Sequence, residues 1–262
     1  MIGGIIAATV CVTAVGIFIG VFLGVAGKKF AIQVDEREDK ILEVLPGANC
    51  GGCGNAGCAA MAHAIVEGRS PVGGCPVGGE AVAGKIAEIM GQSAEKSERM
   101  TAFVKCGGTC TDVKDRYEYT GETDCKMIAM IPGNGAKECT YGCLGGGTCV
   151  RVCQFDAIHI ISGIAVVDQE KCKACGQCVK ECPRHIIELK PYDKVHAVKC
   201  SSKDKGAVSN KVCTASCIGC GICEKNCPSG AITVTDNAAH IDYSKCTGCG
   251  ICAAKCPKKA II

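Results

Sequence analysis

Apolar positions along this chain fall into two regimes. Residues 2–27 (IGGIIAATVCVTAVGIFIGVFLGVAG) form an unbroken apolar run without charge, closed by Lys28 and Lys29. Such a run exceeds the roughly 20 residues needed to cross a bilayer core with some tilt. A secretory signal would instead need a positive leading region, a shorter apolar stretch and a small-residue cleavage site. The only charge ahead of this run is the amino terminus. Residues 1–28 are therefore expected to form a single-pass span in the cytoplasmic membrane. The two lysines place everything after it on the cytoplasmic side. Gly16, Gly20 and Gly24 make a small-xxx-small face suited to a partner helix, although glycine is also simply common in membrane helices. Cys11, inside the span, reads as a small apolar residue.

Beyond the span, apolar residues come in short patches set among glycine, cysteine and charge. After a charged stretch from Gln33 to Lys40, Ile41, Leu42 and Leu45 offer a short helical face before Pro46. Ala59–Glu67 reads as a helix. Val82, Ile86 and Ile89 give Glu80–Met90 a helical pattern, expected to pack over the preceding segment. Gly91–Glu98 reads as a linker. Two short strand pairs follow. Ala157–Ile161 and Ile164–Val167 flank Ser162-Gly163, while Ala231–Val234 and His240–Tyr243 flank Asp236-Asn237.

Composition changes this picture from small patches to small metal-held modules. The 262 residues include 26 cysteines, 35 glycines, no tryptophan and five each of Phe and Tyr. Little of that can build one large core, whereas metal binding supplies folding free energy to small modules. A reducing cytoplasmic side disfavours disulfides. The formal charge is +3, but a four-thiolate cubane carries about −2. Five of them would bring the holoprotein to about −7. A nucleic-acid footprint is therefore not expected, and many lysines offset cluster charge.

Cysteine spacing specifies the modules. Cys50, Cys53, Cys58 and Cys75 read C-x2-C-x4-C-x16-C, interleaved with Gly51, Gly52, Gly54 and Gly57. Glycine turns let backbone N–H groups point at cluster sulfur. Four-thiolate zinc is the alternative for this module taken alone. From Cys139 the chain repeats at an offset of 74 residues. Cys139, Cys143, Cys149, Cys153, Cys172, Cys175, Cys178 and Cys182 map onto Cys213, Cys217, Cys223, Cys227, Cys246, Cys249, Cys252 and Cys256, an internal duplication.

In the second copy, Cys217, Cys220, Cys223 and Cys227 followed by Pro228 form the bacterial two-cluster ferredoxin run, and Cys246, Cys249, Cys252 and Cys256 followed by Pro257 repeat it. In such runs the fourth cysteine serves the other cluster. One [4Fe–4S] centre is thus expected on Cys217, Cys220, Cys223 and Cys256, its neighbour on Cys246, Cys249, Cys252 and Cys227. Zinc ligands come as separated pairs, unlike these runs, and the C-x-x-C-H haem attachment motif is absent.

The first copy departs in two ways. Gly146 stands where the second copy has Cys220, and Gln154 replaces the proline after Cys153. A centre on Cys172, Cys175, Cys178 and Cys153 follows from the intact run. Its partner needs Cys143, Cys149, Cys182 and a substitute. Cys139 is the nearest candidate, with Cys110 and Cys125 also open. About five clusters result. Val104-Lys105-Cys106 and Val198-Lys199-Cys200 look like one element in two copies, paired with Cys139 and Cys213. Cys106, Cys110, Cys125, Cys200 and Cys213 read foremost as buried structural thiols, with a further cluster or a metal pair as alternatives.

An uncharged span, then GANCGGCGNAGCAAMAHAIVEGRSPVGGCPVGGEAV over 47–82, then ferredoxin runs, resembles the B subunit of the Rnf complex, an ion-translocating oxidoreductase linking ferredoxin and NAD. The resemblance covers essentially the whole chain, and the two ferredoxin pairs resemble the longer members of anaerobic bacteria. It implies that this chain accepts electrons from soluble reduced ferredoxin and passes them to other membrane subunits that move sodium or protons. The expected fold is α+β: a transmembrane anchor (1–28), an N-terminal helical [4Fe–4S] module (29–92), a Cys-containing connection (93–138), a first ferredoxin-like module (139–190), a basic connection (191–212) and a second ferredoxin-like module (213–262).

No P-loop, Rossmann glycine fingerprint or nucleophile–base pair is present, so the chain offers no substrate site of its own. His63, His159, His185, His196 and His240 are scattered and read as ordinary residues. A cluster-based redox sensor is the alternative function, and it would call for one labile cluster and a regulatory domain. Lys190, Lys194, Lys199, Lys203, Lys205 and Lys211 either dock an acidic ferredoxin or compensate cluster charge.

Overall fold

The computed structural model describes residues 2–29, 35–93 and 98–262. The start of the charged stretch after the span and the middle of the 91–98 linker lie outside the described residues. Helix α1 (Ile2–Lys29) carries the apolar run, and its Val10–Gly27 window is long and apolar enough to cross a membrane. None of that window is buried against the rest of the chain.

The first module is three helices. In α2 (Glu36–Val44), Asp35 caps the N-terminus by accepting the Arg37 N–H at 2.9 Å, and three acids occupy the first turn, where the helix dipole favours them. Ile41 and Leu45 are buried, being four apart on one face, whereas Leu42 is 40 % exposed because it lies about 100° round the helix. Cys58 opens α3 (Cys58–Val66), its N–H held by Asn49 Oδ1 at 2.8 Å. In α4 (Gly79–Met90), Ile86, Ala83 and Ala87 face inward, and Gly91 closes the helix at φ +64°. Ile41, Leu45, Met61, Ile65, Val72 and Ile86 form one small core, with Cys53, Cys58 and Cys75 packed against it.

The rest is a duplicated fold with one inserted segment. Strand β1 (Met100–Val104) comes first, then α5 (Cys125–Met130) and α6 (Thr148–Arg151). The hairpin of β2 (Ile158–Ile161) and β3 (Ile164–Val167) leads to α7 (Gln177–Glu181) and β4 (Ile187–Pro191). After α8 (Gly206–Val212) come α9 (Ile222–Lys225), the hairpin of β5 (Ile232–Thr235) and β6 (Ala238–Ile241), and α10 (Ile251–Lys255). The bounds of α6, β2, β3 and α7 recur 74 positions later as α9, β5, β6 and α10. Both hairpins are antiparallel, and the turn residues Ser162 and Gly163, like Asp236 and Asn237, hold positive φ. The second strand thus starts at Ala238, two residues earlier than the pattern of His240–Tyr243 suggests, because a two-residue turn forces immediate pairing.

The 93–138 segment is not merely a connection. Its strand β1 pairs antiparallel with β4, Val104 opposite Ile187. The second copy repeats this at one bridge, Val198 opposite Ile261. Each copy is therefore closed by a segment that precedes it in sequence, a strand in the first and a single bridge in the second.

Because Ile86 is 0 % exposed in a core of few residues, Ile86→Ala is expected to cost about 2–5 kcal/mol in the first module. Urea titration of the anaerobic holoprotein should then bleach part of its visible absorbance at lower denaturant than wild type, with the C-terminal centres persisting. An unchanged bleaching profile would contradict this core.

Candidate iron–sulfur centres

Each short cysteine run folds the same way, for a local reason. A glycine in the left-handed region, Gly147, Gly176, Gly221 or Gly250 at φ 71° to 76°, turns the chain into a short helix that begins just before the third cysteine. A side chain with Cβ is strained there. The turn brings the cysteines on either side of it around one centre, and backbone N–H groups point at sulfur. Ala157 N–H donates to Cys153 Sγ at 3.4 Å, Ala231 N–H to Cys227 Sγ at 3.3 Å, and Ala165 N–H to Cys143 Sγ at 3.4 Å. Such donors favour the charged thiolate and tune potential.

The structure gathers the predicted cysteines into groups of four. Cys217, Cys220, Cys223 and Cys256 line one cavity, and Cys227, Cys246, Cys249 and Cys252 line another. Cys178 lies in the field of Cys172, Cys175 and Cys153. In the first module Cys75 lies in the field of Cys53 and Cys58, and Cys50 sits on the loop that meets the first ferredoxin-like unit. There the Gln177 side chain donates to the Cys50 carbonyl. A methyl group at Gly52 would come within 2.8 Å of the Cys175 carbonyl oxygen, so glycine lets the two backbones touch.

At the incomplete run the structure brings in a cysteine of the inserted segment. Cys143, Cys149 and Cys182 line a cavity whose fourth cysteine is Cys125, at the N-terminus of α5. Cys139, nearest in sequence, does not line it, and Cys110 is exposed. The reason is steric and local. A Cβ at Gly146 would lie 2.9 Å from the Cys125 nitrogen, so the glycine vacates the space that α5 enters. Thr148 Oγ1 accepts the Cys125 N–H at 2.8 Å, and Asp124 caps α5 while pairing with Arg151. Cys125 is the residue that local spacing could not single out. The signal was in the length of the insertion: Cys106 and Cys139 are 33 positions apart, Cys200 and Cys213 only 13. Cys139 instead joins Cys106, Cys200 and Cys213 around a separate cavity.

These groups suit a cluster better than a single ion. A tetrahedral zinc at about 2.3 Å from each sulfur needs the four sulfurs within about 4 Å of one another. Among the described residues no three or more Cys, His, Asp or Glu side chains are set to hold a single metal ion. A cubane spreads its ligands wider and carries sulfides that accept hydrogen bonds. Arg184 Nε, buried on the wall of the Cys125 cavity, has no hydrogen-bond partner in the protein, as expected of a donor aimed at such a sulfide. Burial, then neighbouring thiolates, push the Cys149 and Cys178 thiols up to about 12. They ionise on binding iron, so loading releases protons. His63, by contrast, lies on the surface between Glu38 and Glu67.

Known proteins bear on these centres. Residues 45–77 match a family profile described as "Putative Fe-S cluster", residues 165–188 a 4Fe-4S binding domain, and residues 216–260 a 4Fe-4S dicluster domain. The chain is 47% identical to the B subunit of the Na+-translocating ferredoxin:NAD+ oxidoreductase complex of Acetobacterium woodii, over 88% of this chain and 69% of that protein. It is 46% identical to the B subunit of the ion-translocating oxidoreductase complex of Methanosarcina acetivorans, over 94% and 93%. With the B subunit of the proton-translocating ferredoxin:NAD+ oxidoreductase complex of Clostridium ljungdahlii it shares 42%, over 90% and 83%.

Cys125→Ser is expected to lower the iron content of the anaerobically loaded chain by about one to four atoms and to remove one centre's signal from its reduced EPR spectrum. Cys110→Ser should change neither. Equal iron in both variants would exclude Cys125 as a ligand.

Proposed function

The chain belongs to the family of B subunits of ion-translocating ferredoxin:NAD+ oxidoreductase complexes, and on that footing we propose that it takes electrons from reduced ferredoxin and hands them to membrane partners of such a complex. It is an iron–sulfur electron-transfer component of a multi-subunit, membrane-associated redox complex. A [4Fe–4S] cluster exchanges one electron without breaking bonds. The chain's own residues fix where each cluster sits and how much its charge costs.

The observation that carries the reading is the contact of Gly52 and Gln177 with the loops of Cys175 and Cys50. It sets the first module's cysteines beside those of the first ferredoxin-like unit. That module also follows α1 closely, since the six residue steps from Lys29 to Asp35 reach at most about 20 Å. Electrons would thus leave towards the membrane at the Cys50 end. With Lys28 and Lys29 inside, the cysteine-rich part lies on the cytoplasmic side, and the unpartnered glycines of α1 face helices of other subunits.

Entry then falls to the second ferredoxin-like unit, where Cys220 and Cys249 are exposed. The lysines of the 190–211 connection do not make one docking face. Lys190 is 1 % exposed and donates to the Lys194 carbonyl, and burial lowers the pKa of both Lys190 and Lys199. Exposed Lys225, Lys245, Lys255 and Lys259 instead flank the cysteine runs of the second unit. An acidic donor would be steered there.

Replacing Lys245, Lys255 and Lys259 with Glu should slow reduction by ferredoxin about tenfold or more at low salt, with the gap closing as salt rises. Reduction by dithionite should stay unchanged. Stopped-flow bleaching measures both, and an unaltered ferredoxin rate would remove this entry site.

A further inference from the structure

Each of the four ferredoxin-type runs closes on a cysteine followed by the same turn. We propose that the residue two places beyond that closing cysteine sets the reduction potential of the cluster the cysteine serves, and that Phe155 makes the centre on Cys153, Cys172, Cys175 and Cys178 the lowest of the four. The proposal rests on the iron–sulfur reading of these groups and goes on to rank them.

The turn is built from backbone. Three residues past the closing cysteines stand Asp156, His185, Gly230 and Lys259, all in the left-handed region at φ 49° to 60°. In three of the runs a hydrogen bond ties the turn. The N–H groups of His185, Gly230 and Lys259 donate to the carbonyls of Cys182, Cys227 and Cys256 at 3.0–3.2 Å. One conformation recurring at four sites aims the preceding side chain the same way each time. Arg184 lines the cavity of Cys182, Ser229 that of Cys227 and Lys258 that of Cys256. In the fourth run Phe155 packs, alongside Cys153, against the core that contains Cys172 and Cys178.

The four side chains differ in what they offer a cluster. Ser229 Oγ lies 3.6 Å from Cys227 Sγ. A thiolate on iron has no proton to give, so the hydroxyl is the donor. Arg184 brings a cation whose Nε is buried and has no partner in the protein. Lys258 brings another, its ammonium donating to Asn210 Oδ1 at 2.7 Å. Phe155 brings neither charge nor donor.

The duplication supplies an internal control. Phe155 and Ser229 are equivalent at the 74-residue offset. The backbone donors to the two closing sulfurs match, Ala157 N–H at 3.4 Å and Ala231 N–H at 3.3 Å. The hydroxyl is what the second copy adds. Cys227 is held below the usual thiol range. Its slight burial raises it, but the Ser229 hydroxyl and the N–H groups of Ser229, Ala231 and Ile232 outweigh that. Reduction adds one electron to a cluster that already carries about −2 charge. A donor or cation beside the sulfur stabilises the added charge and raises the potential, and an aromatic ring in its place does not.

Position gives the ranking a consequence. The low centre includes Cys175, whose backbone touches the first module at Gly52. An electron bound for that module therefore crosses the least favourable of the four centres just before it leaves. That centre fills only from a strongly reducing donor. One electron moves, with no bond or proton change.

The test is a potentiometric titration of the full chain, loaded without oxygen and followed by EPR of the reduced centres. Phe155→Ser should raise one midpoint, and Ser229→Ala should lower a different one. Each shift should be about tenfold in the reduced-to-oxidised ratio at fixed potential, or about 59 mV for one electron. Ser229→Thr keeps the hydroxyl and should hold the wild-type value. In wild type, the centre that Phe155→Ser moves should titrate below the one that Ser229→Ala moves. Iron content should stay the same throughout, which separates tuning from loss of a ligand. Unmoved midpoints in both variants, or the reverse order in wild type, overturn the proposal. So does a Ser229→Thr protein that titrates like Ser229→Ala. Should Phe155→Ser lose its iron, the two Ser229 variants still decide. Wild type without iron would instead sink the iron–sulfur reading beneath the proposal.

Discussion

A thiolate taken out of water is costly unless something binds it, and this chain buries ten of its cysteines below a tenth of their surface. Burial first, and neighbouring thiolates after it, drive the Cys149 and Cys178 thiols up to about 12, and Cys213 and Cys223 to about 11. Iron coordination reverses that balance by stabilising the ionised sulfur, and because the ligands come together only on folding, its free energy becomes folding free energy. The three apolar cores are small and each has cysteine within it or packed against it. Hydrophobic burial on that scale shapes the modules, while coordination holds them.

Duplication explains how one plan serves repeatedly and where it was altered. Elements of the two copies share bounds at a constant offset, so a substitution in one can be weighed against the other. Gly146 stands where the second copy has Cys220, and the segment before Cys139 brings Cys125 to the same cavity, into the space a Cβ at Gly146 would fill. The same insertion adds exposed Cys110, which lies near Gly163 and joins no group.

Cations inside the protein follow the sulfur. Arg184 is half-buried between Cys139 and Cys182, its guanidinium donating to the Thr140 and Asn134 carbonyls. Lys199 stands beside Cys106, which partly offsets the cost of its burial. A formal charge of +3 is therefore no measure of the surface a partner meets, because part of it is neutralised within the molecule.

Ligands within four residues of one another were legible from spacing, since a short glycine turn allows few arrangements of its flanking side chains. So were the helices around Ile41, Ile65 and Ile86, the two hairpins, and the apolar run that becomes α1. Tertiary structure alone decided that Cys125 meets Cys143, that Cys139 turns to Cys106, Cys200 and Cys213, and that Lys190 lies inside. Those meetings join residues from separate segments, and their distances depend on strand pairings such as β1 with β4 that close only after the chain has returned. Local sequence dictates local turns; which distant thiol arrives is fixed by how the copies pack.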